Sequence, residues 1–452
     1  TMSGPFGSTQ LFGVAAGGAA PGYVPNGAIW FDGAADYLAF TPGSTTGNKK
    51  FTFSCWFKLS QTGVADNGSI LDAWTDNNNR SNVTIQATGN VDFLSDVSGS
   101  RSLDLNTTQQ LRDPTAWMHF VLVIDTTVAA PGPNSIEIFL NGETVTDFGD
   151  QTYPSQNYVT QFFTSGTEMH IGINNYDDTP IHFFNGYMSE VILLDEYAGR
   201  ASDFGTENSD GVWIPKDPTD IVTAEKGTSG CWLDFADSAD LGNDVSGNGN
   251  DWLLVSMAAA NWSYDRPADK KSTTTGNLGT WNPLQSDSDM TLAEGNTKVT
   301  GSSGGGILTN TIYVDAEDAN GYYYRCLINT SNDSGYPLVG IHNTGPLGPT
   351  FVGGNTSNNG WSISCGTGSN SGKPFHGSGT GGTSLFTFSS GDYVDICIKA
   401  GKLYFGQDGT WSGDPDAETG LPHGWYPLGN IEAELEADGL DANFPTAPAH
   451  AL

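Results

Sequence analysis

Short runs in which apolar side chains recur at every second position, set between clusters of Gly, Asn, Asp and Ser, make up most of this chain. That spacing fits strands with one face turned to a core, and almost no stretch carries the apolar spacing of a helix. From Gly27 to Tyr197 it predicts strands over Ala28–Phe31, Tyr37–Phe40, Phe51–Leu59, Ser69–Asp72, Val83–Ala87, Val91–Leu94, Trp117–Asp125, Ser135–Leu140, Met169–Ile173 and Gly186–Leu194. Asn141-Gly142 marks a hairpin turn, and Val191–Leu194 is an unbroken apolar run that reads as strand core. About ten strands without helices fold most simply as a two-sheet sandwich. A second set follows at Ile312–Val314, Gly321–Ile328, Leu338–Ile341, Trp361–Ser364, Tyr393–Lys399 and Leu403–Gly406. The Ala400-Gly401 turn joins its last two members into a hairpin.

With 452 residues the chain exceeds one ordinary core, so the expectation is all-β, with two β-sandwich (jelly-roll) domains joined by an aromatic-rich connector. Residues 1–26 form a Gly/Ala-rich arm, either flexible or ordered against a partner and a candidate virion anchor. The first sandwich spans 27–197, the connector 198–289, the second sandwich 290–437 and an exposed tail 438–452. Trp213, Trp232, Phe235 and Trp252 predict a connector docked on a neighbouring sandwich, because a free linker would not carry so many aromatics.

Charge narrows the partners. Seventeen basic against 51 acidic residues give −34, which repels nucleic acid and anionic membrane surfaces. The acidity serves solubility, and part of it is compatible with calcium binding. No run approaches the roughly 18 apolar residues of a membrane helix, and no secretory signal opens the sequence. Five scattered cysteines without a C-x-x-C pair predict free thiols and assembly in a reducing cytoplasm.

Several phrases carry a resemblance. Ala28–Gly33, Asp36–Leu38, Phe51–Phe57, Trp117–Val123, Ile138–Gly142 and Phe184–Val191 resemble, in their order, concanavalin A-like and laminin-G-like jelly rolls. Lys402–Trp411, with Gly360–Cys365 and Ser389–Val394, resembles SPRY domains, which are recognition sandwiches without catalytic machinery. The connector phrases Gly211–Lys216, Trp232–Ser238 and Asn243–Trp252 resemble host-recognition fibre and spike proteins of tailed, notably marine, bacteriophages. The resemblance implies a virion-surface protein assembled in the host cytoplasm, with host glycan and other virion proteins as partners. A homo-oligomer, commonly a trimer in fibres, belongs to the same expectation. It also implies that Asp32 and the region of Asp195 are positions where such jelly rolls hold calcium; an Asx turn is the competing reading of Asp32.

Candidate chemistry is sparse. Glycosidases need two carboxylates about 5–5.5 Å apart for retention. The nearest sets are Glu190 with Asp195 and Glu196, and Glu432, Glu434 and Glu436 with Asp438; neither has the required strand spacing, so no catalytic residue is assigned. His119 and His170 alternate with apolar residues and read as satisfied strand histidines. The Asn243–Asp251 tract is either a hard-oxygen cation loop or an Asx-rich turn. Sugar binding has two candidate loops, each an aromatic among polar side chains. One is Trp74 with Asp76, Asn77, Asn78 and Arg80, and the other is Tyr176 with Asn174, Asn175 and Asp177. Each loop equally admits an ordinary turn beside a core aromatic. The sequence therefore predicts a non-catalytic glycan-binding adhesin, with a capsid or tail decoration protein and a polysaccharide depolymerase as alternatives.

Overall fold

The computed structural model describes residues 22–268 except 61–67, 115 and 210. Beyond these it describes 277, 280–283, 290–301, 312–315, 322–328, 338–342, 360–366, 369–376, 379–380, 384–399, 402–413 and 443–446. The arm up to residue 21, much of the loop-rich tract 345–382, Glu432, Glu434, Glu436, Asp438 and most of the tail lie outside the described residues. The chain divides into two compact units, Thr1–Asn277 and Leu278–Leu452.

The first unit is a sandwich of two antiparallel sheets. One orders its strands Glu143–Thr144, Ile136–Leu140, Met118–Asp125, Lys50–Leu59, Asn185–Asp195, Ala28–Asp32 and Trp262–Ser263, and Cys231–Leu233 also pairs with Asn185–Asp195. The other runs Phe148–Thr152, Ser100–Gln110, Asn90–Val97, Asn79–Ile85, Gly68–Asp76, Glu168–Ile171, Tyr37–Phe40 and Leu253–Val255. Alternate residues point between the sheets. Phe51 meets Phe162 and Phe163 there at centroid distances of 5.3 and 5.4 Å, edge to face.

The all-β expectation holds, with a single α-helix among the described residues, Thr219–Glu225. Several short strands were not legible in advance, and neither were two longer ones of the second sheet. In Ser100–Gln110 only Leu103, Leu105 and Thr107 turn inward, and Phe148–Thr152 is almost wholly polar because it is the exposed edge.

The first sheet is apolar on both faces. Val121, Val123, Phe139, Ile192 and Leu194 face away from the main core and are covered by Ala201, Phe204 and Val222, with Trp213 and Trp232 packed alongside. The stretch after residue 197 therefore forms a layer on this sheet, and three of its short strands extend the two sheets. Buried polar contacts fix it there. Trp213 Nε1 donates to His119 Nδ1 at 2.9 Å, and Ser54 Oγ lies 2.9 Å from His119 Nε2. The Trp213 bond requires Nδ1 to be unprotonated, so the proton of the neutral ring sits on Nε2 and points to Ser54. Lys58 Nζ reaches Asp265 Oδ2 at 2.9 Å, both side chains at most 4 % exposed, and Trp117 Nε1 donates to Asp265 Oδ1.

Within Asn185–Asp195 the register to Lys50–Leu59 shifts between Ser189 and Ile192. Glu190 sits at that bulge with φ +51°, where the partner on the other edge changes from Ala28–Asp32 to Cys231–Leu233. Its buried carboxyl accepts from Tyr23 Oη at 3.0 Å and Trp232 Nε1 at 2.9 Å.

The second unit holds two four-stranded sheets. One is Tyr322–Leu327, Tyr393–Lys399, Lys402–Gln407 and Thr410–Trp411; the other is Leu338–His342, Gly360–Ser364, Pro374–His376 and Gly379–Thr380. The hairpin expected around Ala400-Gly401 pairs Lys399 with Lys402. Trp361, Ile363, Val394, Ile396, Leu403 and Phe405 form the core of this unit.

Two measurements follow from the buried polar groups. Asp265→Asn leaves the Lys58 ammonium buried without its counter-charge and should destabilise the first unit by about 3–5 kcal/mol in urea unfolding. Burial pushes the Glu190 carboxyl up from 4.5 to about 8. The native state then holds a proton that the unfolded chain has released, so stability falls as pH rises through that window. The slope is at most about 1.4 kcal/mol per pH unit. Glu190→Gln should flatten this dependence, read as the urea midpoint against pH.

Candidate functional site

Trp74 is not in a loop. The strand Gly68–Asp76 carries it to the sheet end, opposite Arg80 on one side and Glu168 on the other. Asn77 and Asn78 alone make the turn, since Asp76 pairs with Asn79. Asp76 Oδ1 accepts from the Asn78 amide at 2.7 Å and from Asn79 Nδ2 at 3.0 Å, which shapes the turn from its own side chains. The second candidate is also a hairpin. Asn174–Tyr176 pairs with Thr179–Ile181, and Asp177 and Asp178 turn between them at φ +56° and +54°. Both central residues at positive φ are what a tight two-residue hairpin demands, and Asp tolerates it at some cost.

These two hairpins meet. Asn77 Nδ2 donates to Asp177 Oδ1 at 3.2 Å across a hundred residues of sequence. The Arg80 guanidinium lies 5.0 Å from the Tyr176 ring centroid, while its Nε donates to Asp96 Oδ2 at 2.8 Å. Deeper, the Asn175 amide donates to Asp72 Oδ2 at 3.2 Å and pins the hairpin to the sheet. Tyr176 is left 41 % exposed, one of three large apolar side chains so open among the described residues. Asn174 is buried at the hairpin's base, and Trp74 is half-buried.

Beneath lies a charged cluster that sequence reading saw only as a strand histidine. His170 Nδ1 is 3.1 Å from Asp72 Oδ2, and its Nε2 is 3.0 Å from Glu168 Oε2. Burial by itself would lower the imidazole pKa, but the two carboxylates outweigh it and push the ring up to about 9. His170 is thus an imidazolium at neutral pH, donating from both nitrogens. Three buried polar atoms of this region have no protein partner: Asp72 Oδ1, Asn175 Oδ1 and Trp74 Nε1. The alternation Glu168-x-His170 was a readable signal of two side chains on one face. Its pairing with Asp72 and Trp74 was not.

The calcium positions stand apart. Asp32 pairs with Asn185 at one end of the strand Asn185–Asp195, and Asp195 closes the other end, about 33 Å away at strand rise. Asp32 Oδ1 accepts three backbone N–H groups, from Ala34, Ala35 and Asp36, which is the Asx-turn reading. Asp195 Oδ2 accepts from the amides of Thr228 and Ser229, leaving Oδ1 buried without a partner. Among the described residues no three His, Cys, Asp or Glu side chains converge on one cation position. The Asn243–Asp251 tract is tied by hydrogen bonds to itself and to residues 227–232. Asp244 accepts from the amides of Trp232, Ser246 and Asn250, and Asn248 and Asn250 donate to the carbonyls of Gly227, Thr228 and Gly230.

Of the carboxylates weighed for hydrolysis, Glu190 and Asp195 are buried, engaged as described, and closed to a substrate.

Residues 32–198 match the family Laminin_G_3, described as the concanavalin A-like lectin/glucanases superfamily. The first unit carries a concanavalin A-like, laminin-G-like lectin domain. Similar solved structures include a heptameric SAP-like pentraxin from Limulus polyphemus, at 13 % identity over 52 % of this chain and 97 % of that one, TM-score 0.30. The CBM40 of a Ruminococcus gnavus IT-sialidase is 14 % identical over 40 % and 95 %, with TM-score 0.28. Domains LG4-5 of the mouse laminin alpha1 chain are 11 % identical over 89 % and 81 %, with TM-score 0.29. No curated protein matches the sequence.

The two buried histidines of this lectin domain should titrate far apart. Burial lowers His119 to about 3, whereas His170 is raised to about 9. Imidazole NMR across the neutral range should show a neutral ring at His119 and an imidazolium at His170, and Asp72→Asn should lower the His170 value.

Proposed function

We propose that the lectin domain binds glycan non-catalytically at the face where the two hairpins meet, and that the protein acts as an adhesin of a tailed-phage virion. The observation that carries the binding reading is the convergence itself. Two aromatic–polar segments a hundred residues apart are held together so that Tyr176 stands open beside Arg80, Asn77 and Asp177. An exposed ring offers a stacking surface for the apolar face of a sugar, and amides and carboxylates around it suit hydroxyl groups.

The match of residues 32–198 to a lectin superfamily supports glycan as the ligand class. The phage assignment rests on the connector phrases and on the SPRY-like wording of the second unit. In this reading several copies on the particle convert weak single-site binding into avidity, and other virion proteins hold the chain in place.

The test is binding of the full chain to candidate host cells and purified surface polysaccharide, before and after periodate oxidation and with or without a chelator. Binding should be saturable and lost on oxidation. Tyr176→Ala should weaken it about tenfold or more without changing the unfolding midpoint. Binding that survives both oxidation and Tyr176→Ala would overturn the proposal.

A further inference from the structure

Lys58 is the one lysine buried among the described residues, and its side chain leaves the strand Lys50–Leu59 on the covered outer face of the first sheet. Its Nζ reaches two different acceptors, Asp265 Oδ2 at 2.9 Å and the Asn277 side-chain oxygen, also at 2.9 Å. Asp265 is held in turn, because Trp117 Nε1 donates to its Oδ1 at 2.9 Å and its own amide donates to Ser263 Oγ at 3.0 Å. Water has little access here. Trp56, Trp117 and Tyr187 are buried together with Trp30 packed against them, and Tyr187 stands opposite Lys58 in the strand register. An ammonium takes any carbonyl as its second acceptor, yet the one supplied is a primary carboxamide. An amine, a carboxylate and a carboxamide in contact within a dry site are the nucleophile, the proton carrier and the acyl group of an amide exchange.

We infer that the site forms a covalent cross-link, an isopeptide bond from Lys58 Nζ to the side-chain carbon of Asn277, with Asp265 carrying the protons. The Lys58 ammonium first passes a proton to Asp265 Oδ2 along their hydrogen bond, which leaves both groups neutral for the step. The amide carbon lies one bond beyond the oxygen that Nζ already touches. A small rotation of the Asn277 side chain therefore gives the roughly 3–3.5 Å of a near-attack pair. Nζ bonds to that carbon, and Asp265 gives its proton to Nδ2 and takes one back from Nζ as the bond from carbon to Nδ2 breaks. The released ammonia carries off that last proton as ammonium, so the carboxylate is restored and nothing is oxidised or reduced. The link ties the middle strand of the first sheet to the chain beyond the covering layer, across 219 residues of sequence. The cover then cannot detach from the sandwich unless a covalent bond breaks.

Intact-mass spectrometry of the folded full chain, together with a tryptic map, is the experiment. The chain should weigh one ammonia less than its sequence requires, and trypsin should leave Lys58 uncut, giving residues 51–80 joined to residues 272–298. Asn277→Ala should restore the full mass and the cut after Lys58, while circular dichroism and tryptophan fluorescence stay as in the parent chain. Lys58→Arg, which keeps the charge facing Asp265 without a nucleophilic amine, should likewise remove the deficit. Asp265→Asn also strips the counter-charge from Lys58, so it is not the deciding variant. A folded chain of full mass, still cut after Lys58 following prolonged incubation at neutral pH, overturns the proposal. So does a deficit that persists in Lys58→Arg, since ammonia is then lost from an asparagine closing on its own backbone. The map of the parent chain decides between these outcomes even where a variant fails to fold.

Discussion

A sheet that is apolar on both faces cannot face water, and the first sheet of the lectin domain is such a sheet. Nine of the ten residues of Lys50–Leu59 are buried and all but the first of Asn185–Asp195. The inward side chains fill the space between the sheets, and the outward ones need a second cover. The chain supplies it from the residues that follow the sandwich, so that Phe204, Trp213 and Trp232 meet Phe139 and His119 on that outer face while Asp265 pairs with Lys58. Several of the polar members of this layer are paired with one another. Ser54, His119 and Trp213 form one chain of bonds, and Lys58, Asp265 and Trp117 form another. Their role is specificity: an apolar cover alone could slide, whereas these pairs fix its register.

The other sheet solves a different problem. Its inner face packs the core, and its outer face carries Asp72, His170 and Glu168 at the end where the candidate site lies. Asp72 is the hinge of that arrangement. One oxygen takes both the His170 ring and the Asn175 amide, so the carboxylate that neutralises a buried imidazolium also fastens the Tyr176 hairpin. The exposed ring is therefore positioned from beneath by a buried ion pair and from the side by Arg80. A site set on such supports is pre-organised, and less of the binding free energy is lost to ordering loops.

Most of the lectin domain was legible because its strands bury alternate residues. Phe51, Phe53, Cys55 and Phe57 could be assigned to the core directly, and Asn141-Gly142 gave a turn that the structure contains. Ser100–Gln110 was missed because three small or apolar residues in eleven are too few to register as a period. The site was half legible. Both segments were singled out from aromatic and polar residues in close sequence, and of the two readings open for Trp74, a loop aromatic or a core aromatic beside an ordinary turn, the structure has it on a strand next to the turn. No local signal could bring Asn77 to Asp177, because strand order within a sheet depends on long-range pairing. The layer after residue 197 was read as docked from its aromatics alone, and here composition was the stronger guide than periodicity.

The fate of the acidic side chains ties these layers together. Asp32 caps its own turn, Asp195 and Asp244 receive backbone amides, Asp265 neutralises Lys58, Asp96 receives Arg80 and Arg101, and Asp395 of the second unit receives Arg325. Each of these carboxylates does work within the fold, so the acidity there is structural and offers little to an incoming ligand. At the hairpin junction the balance differs. Asp177 and Asp178 sit in a turn that Asn-Gly would fill with less strain, and Asp178 has no bonded partner among the described residues. The Tyr176 ring is thus left open among acidic side chains held in tight turns, with the Arg80 guanidinium alongside it.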